Sequence, residues 1–447
     1  VWSRSVHALD AADKGLVSLA FLYDIEKAFD NVEFSFLIDS AIDLDFPIDL
    51  LLLLIDLYQR PRFVSVGKGV ATVATVLRST VAGESFADLM MLLLMIRIDK
   101  NIRQDWPLLR LSIAVVADDY QILLSGRMSD VVSVAPKLHK SVCDRFLEVG
   151  LPPSSRKFVA LASTPALKSA LTASAPRLAK GFVNATRNLG FDFTIGRLRS
   201  VVTFKERFSK ARAKGVKLER ARKMGVRIRR FVAPLINSVD TWGTAIMGTA
   251  PSAIRARRSF AHKLIANKVH GRSATIDFML SFIKHTSVDP GFELLTSPIT
   301  ALSHALWDRW LPVGVILSQW ERSASALFPP GGRGDINWNT IADPVSAALA
   351  SLARLGWSSV RAGILRNPQG HLFNLLVDCP RSLLIALQHS VEDFLLREAV
   401  AHDDSLASFG PVVTPWLDPL VSLLSKKTSS TWSPANMGML RCSSAGG

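Results

Sequence analysis

Short apolar runs and longer helical stripes alternate along the first half of the chain. Val17–Tyr23 is apolar and ends at Asp24, the pattern of a buried strand with a carboxylate at its tip. Leu111–Val116 and Tyr120–Leu124 flank Ala117-Asp118-Asp119, which predicts a strand, a tight turn and a second strand. Between and after these runs the spacing becomes helical. It predicts helices over 32–44, over 48–58 ending near Arg60-Pro61, and over 85–98. Runs at 62–66 and 73–76 suggest a hairpin over Gly67-Lys68-Gly69. Ala135, Leu138, Val142 and Phe146 share one helical face that stops at Gly150, with Pro136 placing the start of the regular helix at Ala135. Beyond Gly196 the pattern is helical throughout, and Trp307, Trp310, Trp320, Trp338, Trp357 and Trp416 fall at spacings expected of core positions. The sum is an α+β chain: a few short strands among helices, followed by a mainly helical region.

Composition narrows the class. A chain of 447 residues with 49% hydrophobic content can bury more than one core. Cys143, Cys379 and Cys442 are far apart and odd in number, which argues against a disulfide framework and against a zinc site. The longest apolar runs, 50–55 and 89–98, are too short to span a bilayer, and the start as given carries no signal peptide. A nuclear or cytoplasmic protein without a membrane partner is expected, rather than a secreted one.

Charge is distributed unevenly. The net charge is +15, yet residues 1–60 hold eleven acidic against four basic residues, whereas 197–230 holds fourteen Lys or Arg against Glu206 and Glu219. Such a run reads either as a solvated face or as a grip on nucleic-acid phosphates. The candidate contacts are Lys205, Arg207, Arg212, Lys217, Arg220, Arg222, Lys223, Arg227, Arg229 and Arg230.

The two acidic positions point to metal chemistry. A carboxylate at the end of a buried strand is costly unless water or a cation meets it, and hard divalent cations take oxygen ligands. Asp24 on one strand and Asp118 on a neighbouring one would form such a site. Here the residues resemble a known family, the reverse transcriptases, and within it those of non-LTR (LINE-like) retrotransposons. Asp-Ile-Glu-Lys-Ala-Phe-Asp at 24–30 is similar to the family's first catalytic motif, and Ala117-Asp118-Asp119 to its second aspartate-bearing motif. Residues 78–87, around Gly83, resemble the glycine-containing template and nucleotide motif. Residues 150–157 resemble the Gly-Leu…Lys segment, and Asn188-Leu189-Gly190-Phe191 the turn leading to the primer grip. The resemblance covers roughly 17–196.

That resemblance implies a reverse-transcriptase palm (a small antiparallel sheet backed by helices) over 1–196 and a basic helical thumb or connector over 197–285; the amphipathic pattern predicts a helical C-terminal domain of unknown role over 286–427, and the Ser-rich, Gly-ended composition a disordered tail over 428–447. It implies two-metal nucleotidyl transfer to a primer 3′-hydroxyl. Asp24 and Asp118 would hold two Mg2+ ions (or Mn2+), Asp119 would support them, and Lys157 would act on the leaving pyrophosphate. Ile25 to Ala28 would offer backbone amides to the triphosphate, with Ile25, Phe29 and Gly83 contacting the nucleotide and Phe29 acting as steric gate. Leu189 and Gly190 would form the primer grip. Asp30 and Asn31 would cap the following helix. RNA template, DNA primer and deoxynucleoside triphosphates are the expected partners.

Departures keep alternatives open. Ala82 stands where the family has glutamine, Val116 where it has an aromatic residue, and only twenty-three residues precede Asp24, which leaves little of the fingers. The start at Val1 suggests a fragment of a longer reading frame, and the sequence upstream would show whether fingers and an endonuclease belong to it. The alternatives are an inactive retroelement remnant that only binds nucleic acid, an RNA-dependent RNA polymerase, and a helical structural protein whose motifs are coincidence.

Overall fold

A computed structural model describes residues 1–60, 65–67, 69–70, 78–80, 84, 86–196, 199–266, 273–281, 285–328 and 336–401. Gly83 and Ala82, the expected strand at 73–76, Trp416, Cys442 and the expected tail lie outside the described residues. The chain mixes helices with small antiparallel sheets, in the α+β class. It forms two compact units: residues 7–186 with 194–198, and residues 1–6, 187–193 and 199 onward. Residues 199–285 and those that follow them thus belong to one unit. No described helix is long and apolar enough to cross a membrane.

Helix α1 (Trp2–Asp13) opens the chain. The smaller unit is built on a four-stranded antiparallel sheet. Its strands are β1 (Val17–Tyr23), β4 (Leu111–Val116), β5 (Asp119–Gly126) and β6 (Val159–Ala162), in the order β4-β5-β1-β6. β2 (Ser65–Val66) and β3 (Gly69–Val70) pair in a separate two-stranded ribbon. Strand alternation sends Leu19, Phe21 and Tyr23 of β1 and Tyr120, Ile122 and Leu124 of β5 into one core. That core is closed by α2 (Phe34–Asp43), α3 (Ile48–Gln59), α4 (Ala87–Asp105) and α5 (Met128–Glu148). The Tyr23 ring lies nearly parallel to that of His139 on α5, and its hydroxyl sits 3.1 Å from His139 Nδ1.

Three local expectations need correction. α5 begins at Met128, not Ala135, and runs through Pro136. Val131 and Ala135 are buried with Leu138, so packing of this face offsets the one backbone bond that proline cannot make. α4 continues past 98 to Asp105, carried by buried Ile102 and an Asp99–Arg103 pair one turn apart. Neither Asp30 nor Asn31 caps α2. A 3-10 turn over Ala28–Asn31 intervenes, Glu33 holds the cap position, and the Asn31 amide donates instead to the Glu26 carbonyl at 2.7 Å.

The larger unit centres on helices Pro290–Trp307, Val313–Leu327, Pro344–Arg354 and Pro380–Val400. Trp320 and Trp357 are fully buried there, whereas Trp307 and Trp310 are well exposed, so the tryptophans divide between core and surface. The region is not helical throughout. Ser358–Arg361 (β9), Ile364–Arg366 (β10) and Leu372–Asn374 (β11) form a three-stranded antiparallel sheet, a pattern too short to stand out against flanking helices. β7 (Thr186–Asn188) and β8 (Phe191–Phe193) make a hairpin, and after it comes α8 (Val202–Lys223), the basic helix; α6 (Pro165–Ser174) and α7 (Pro176–Ala179) precede it in the smaller unit. α8 buries Thr203, Ala211 and Gly215, a narrow stripe with a four-residue step. A Cβ at Gly215 would run into the Phe260 ring of helix Pro251–Ile265, which explains a glycine inside this helix.

Candidate active site and nucleic-acid interface

In the smaller unit the antiparallel register gathers distant residues. Tyr23 faces Tyr120 across the β1–β5 ladder, which places Asp24 and Asp119 at adjoining strand ends. Val116 pairs with Asp119, leaving Ala117 and Asp118 as the two central residues of a tight turn. Ala117 takes φ 51°, a left-handed conformation that an L residue adopts only at a cost of about 1–2 kcal/mol. The turn is therefore held by its strands against local preference, as is common at functional sites.

The segment before β6 closes the other side. The Ser154 amide donates to the Asp24 carbonyl at 2.8 Å and the Glu26 amide donates to the Pro152 carbonyl at 3.0 Å, so 24–26 and 152–154 pair like strand ends. This carries Lys157 back to the same edge, where its Nζ donates to Asp24 Oδ2 at 2.9 Å. That hydrogen bond raises the Lys157 pKa, with the charges of Asp24, Asp118 and Glu26 adding to it. Asp24, Asp118, Asp119 and Lys157 thus share one end of one sheet.

The other expected nucleotide contacts are more constrained. The Glu26 amide is occupied by Pro152, and the Ile25 side chain is buried. Phe29 packs against the core, partly buried, while its carbonyl accepts the Thr80 amide at 2.9 Å. Residues 78–80 therefore lie against the Phe29–Val32 segment; Gly83 follows outside the described residues.

Asp24, Asp118 and Asp119 offer only carboxylate oxygens, the donors a hard divalent cation takes, and the Lys157 ammonium already places positive charge on Asp24. The donor set fits Mg2+. Among the described residues, no three acidic, histidine or cysteine side chains are grouped closely enough to hold a metal ion.

In the larger unit, Leu189 and Gly190 are the central residues of the β7–β8 turn, with φ 49° and 81°. Two left-handed residues give the hairpin turn that matches strand twist, although leucine is a poor occupant. Two hydrogen bonds hold it, and close packing keeps the second position a glycine. Trp242 Nε1 donates to the Leu189 carbonyl at 3.3 Å, Arg207 Nε donates to the Gly190 carbonyl at 3.0 Å, and any Cβ at Gly190 would collide with the Arg207 guanidinium. Asp192 on β8 accepts from the Thr203 and Phe204 amides at 2.9 and 3.0 Å and so caps the start of α8.

The basic segment divides by role. Lys205, Arg212, Lys217, Arg220, Lys223, Arg227 and Arg230 are exposed, as are Lys210 and Lys214. Arg207 braces the hairpin. Arg222 donates to the Lys263 and Ala266 carbonyls and Arg229 to that of Ile265, so both close the C-terminal end of helix Pro251–Ile265. Arg187, Asp192 and Trp242 were not among the expected site residues. Their partners lie at distant positions in sequence, and only an isolated Trp242-Gly243 in a polar stretch offered any signal.

No protein-family model matches the chain, and no curated protein matches it.

Proposed function

We propose that this chain carries the polymerase core of a non-LTR-type reverse transcriptase, an RNA-directed DNA polymerase. The observation that supports this reading is the β1–β5–β6 arrangement, in which Asp24, Asp118, Asp119 and Lys157 come to one sheet end. Support also comes from the helix-backed antiparallel sheet, the palm architecture that the resemblance implies, and from the exposed lysines and arginines of α8. Asp24 and Asp118 would hold Mg2+, with Asp119 beside them. Bound Mg2+ supplies charge neutralisation and eases loss of the primer 3′-hydroxyl proton. Lys157 stands ready to neutralise or protonate a leaving pyrophosphate once its Nζ leaves Asp24. The exposed basic face would hold the template-primer backbone through phosphates, without sequence preference.

A second reading, a nucleic-acid-binding remnant without catalysis, is favoured by one observation: Asp24 is already paired with the Lys157 ammonium at 2.9 Å, which answers its charge without a metal ion. One experiment separates the two. The chain is assayed for extension of a DNA primer on an RNA template with deoxynucleoside triphosphates and Mg2+, beside Asp24→Asn. Extension that falls by about 10²–10³-fold or more in Asp24→Asn supports the enzyme. Hybrid binding with no extension by the parent chain leaves the remnant, and equal extension by both proteins removes Asp24 from the chemistry.

A further inference from the structure

We propose that the exposed face of Trp242, with Arg187, forms a stacking site for one nucleotide of a bound nucleic-acid strand, beside the Leu189-Gly190 turn. The proposal rests on the polymerase reading, because that turn is read as the primer grip. Four observations lead to it.

The Trp242 side chain is 51% exposed although indole is among the most favourable groups to bury. It is nevertheless fixed: its Nε1 is tied to the Leu189 carbonyl at 3.3 Å, and its ring lies 5.5 Å from that of Phe191 at 43°. The ring is thus held at its Nε1 edge and against Phe191 while about half of the residue stays open to solvent, as in an aromatic stacking platform. The backbone under it is strained, with a left-handed leucine maintained only by tertiary contacts.

The electrostatics suit an anionic strand. Arg187 is exposed on β7, and it lies close enough to Arg207 to help lower that guanidinium's pKa, after burial. Arg207 is committed to the Gly190 and Val239 carbonyls, so Arg187 is the guanidinium that faces outward for a phosphate. The whole assembly is rigid, because Asp192 ties the same hairpin to the start of α8. A stacked base with its phosphate on Arg187 would continue the sequence-independent backbone contacts of the basic helix. An occupant without a phosphate would leave the exposed Arg187 charge to water alone, whereas Arg207 already has its carbonyl partners and the Asp192 carboxylate nearby.

The test is binding of a fluorescently labelled RNA–DNA hybrid with a recessed 3′ end, measured by anisotropy for the full chain and for Trp242→Ala, Trp242→Phe and Arg187→Gln. Trp242→Ala should weaken binding at least about fivefold, the lower end of a base–aromatic stack. Trp242→Phe, which keeps the ring and loses the bond to Leu189, should stay within about twofold of the parent. Arg187→Gln should flatten the dependence of log affinity on log salt. Photo-cross-linking of a 5-iodouridine-bearing strand should map to Trp242. If the parent chain binds no hybrid, the polymerase reading fails and this site with it. If the parent binds and Trp242→Ala is unchanged, or Trp242→Phe weakens as much as Trp242→Ala, the indole is only a brace and the stacking site alone is overturned. A cross-link that maps elsewhere has the same consequence, and it decides the matter even if Trp242→Ala does not fold.

Discussion

Lys157 meets Asp24 at 2.9 Å in the smaller unit, and Arg258 meets Asp289 at 2.7 Å in the larger one; the side chains are 66% and 31% exposed in the first pair, 9% and 2% in the second. Length does not distinguish them, but surroundings do. Asp289 takes three hydrogen bonds from Arg258 and one from the Gly291 amide, capping helix Pro290–Trp307, while Arg258 also donates to Thr275. Both Asp289 oxygens and the Arg258 Nε and Nη2 are answered inside the protein, so the pair is architecture. Lys157 and Asp24 lean on each other at a wet sheet edge, where water or another cation can replace either partner. Nearby in the larger unit, Arg257 pairs with Asp240 at 2.9 Å and lies 3.7 Å above the Phe204 ring, again buried. Burial pushes the Asp240 carboxyl up to about 6, against the opposing pull of Arg257. A charge in this chain therefore marks a binding surface only where solvent reaches it.

Removing one partner of the buried pair should have the largest effect. Asp289→Ala leaves the Arg258 guanidinium buried without its carboxylate and uncaps a helix, and chemical denaturation should register a loss of about 3–5 kcal/mol. A loss near zero would mean that water reaches Arg258 and that the contrast between the two pairs is one of degree.

The basic segment offers an intermediate test within thirty or so residues of chain. Arg222→Ala and Arg229→Ala should each lower stability by about 1.5–3 kcal/mol, since a charged donor leaves the end of helix Pro251–Ile265, with little change in the salt dependence of nucleic-acid binding. Lys210→Glu, Lys214→Glu and Lys217→Glu together should leave stability within about 0.5 kcal/mol and flatten the slope of log affinity against log salt by about 0.9 for each B-form DNA phosphate that is no longer neutralised. Thermal melts beside salt titrations separate the two groups, and identical behaviour would erase the division.

The smallest effect is expected at Arg145–Asp105, a two-pronged pair between α4 and α5 with both side chains about 30% exposed. The Arg145 hydrogen bonds hold the Asp105 carboxyl below its usual 3.8, against a small opposing effect of burial. A depressed carboxylate contributes stability that is present above about pH 4 and lost as pH falls below it. Asp105→Asn should cost under about 1 kcal/mol at pH 7, and the difference should shrink progressively in melts as pH falls below about 4. A difference that persists in acid would assign it to packing instead of charge.

Local pattern carried a good deal of this molecule. β1, a tight turn between the two strands at Asp118, the apolar face of α5 from Ala135 to Phe146 and the basic character of α8 all follow from residue type and spacing, because period and turn chemistry are properties of neighbours in sequence, although Asp119 belongs to β5 and not to the turn. What pattern could not decide depends on residues far apart. That α5 runs through Pro136 is settled by the core it packs on, and that 358–374 forms a sheet is settled by pairing among strands of three or four residues. Arg222 and Lys223 are alike by sequence, yet one caps a helix and the other faces solvent, since only the position of helix Pro251–Ile265 tells them apart. Nothing in the pattern around Trp242 assigns it to core or surface; the β7–β8 turn supplies the carbonyl that its Nε1 meets, with half of the residue exposed. Composition sets how many such groups a chain has; the packing of distant segments decides which of them still face water.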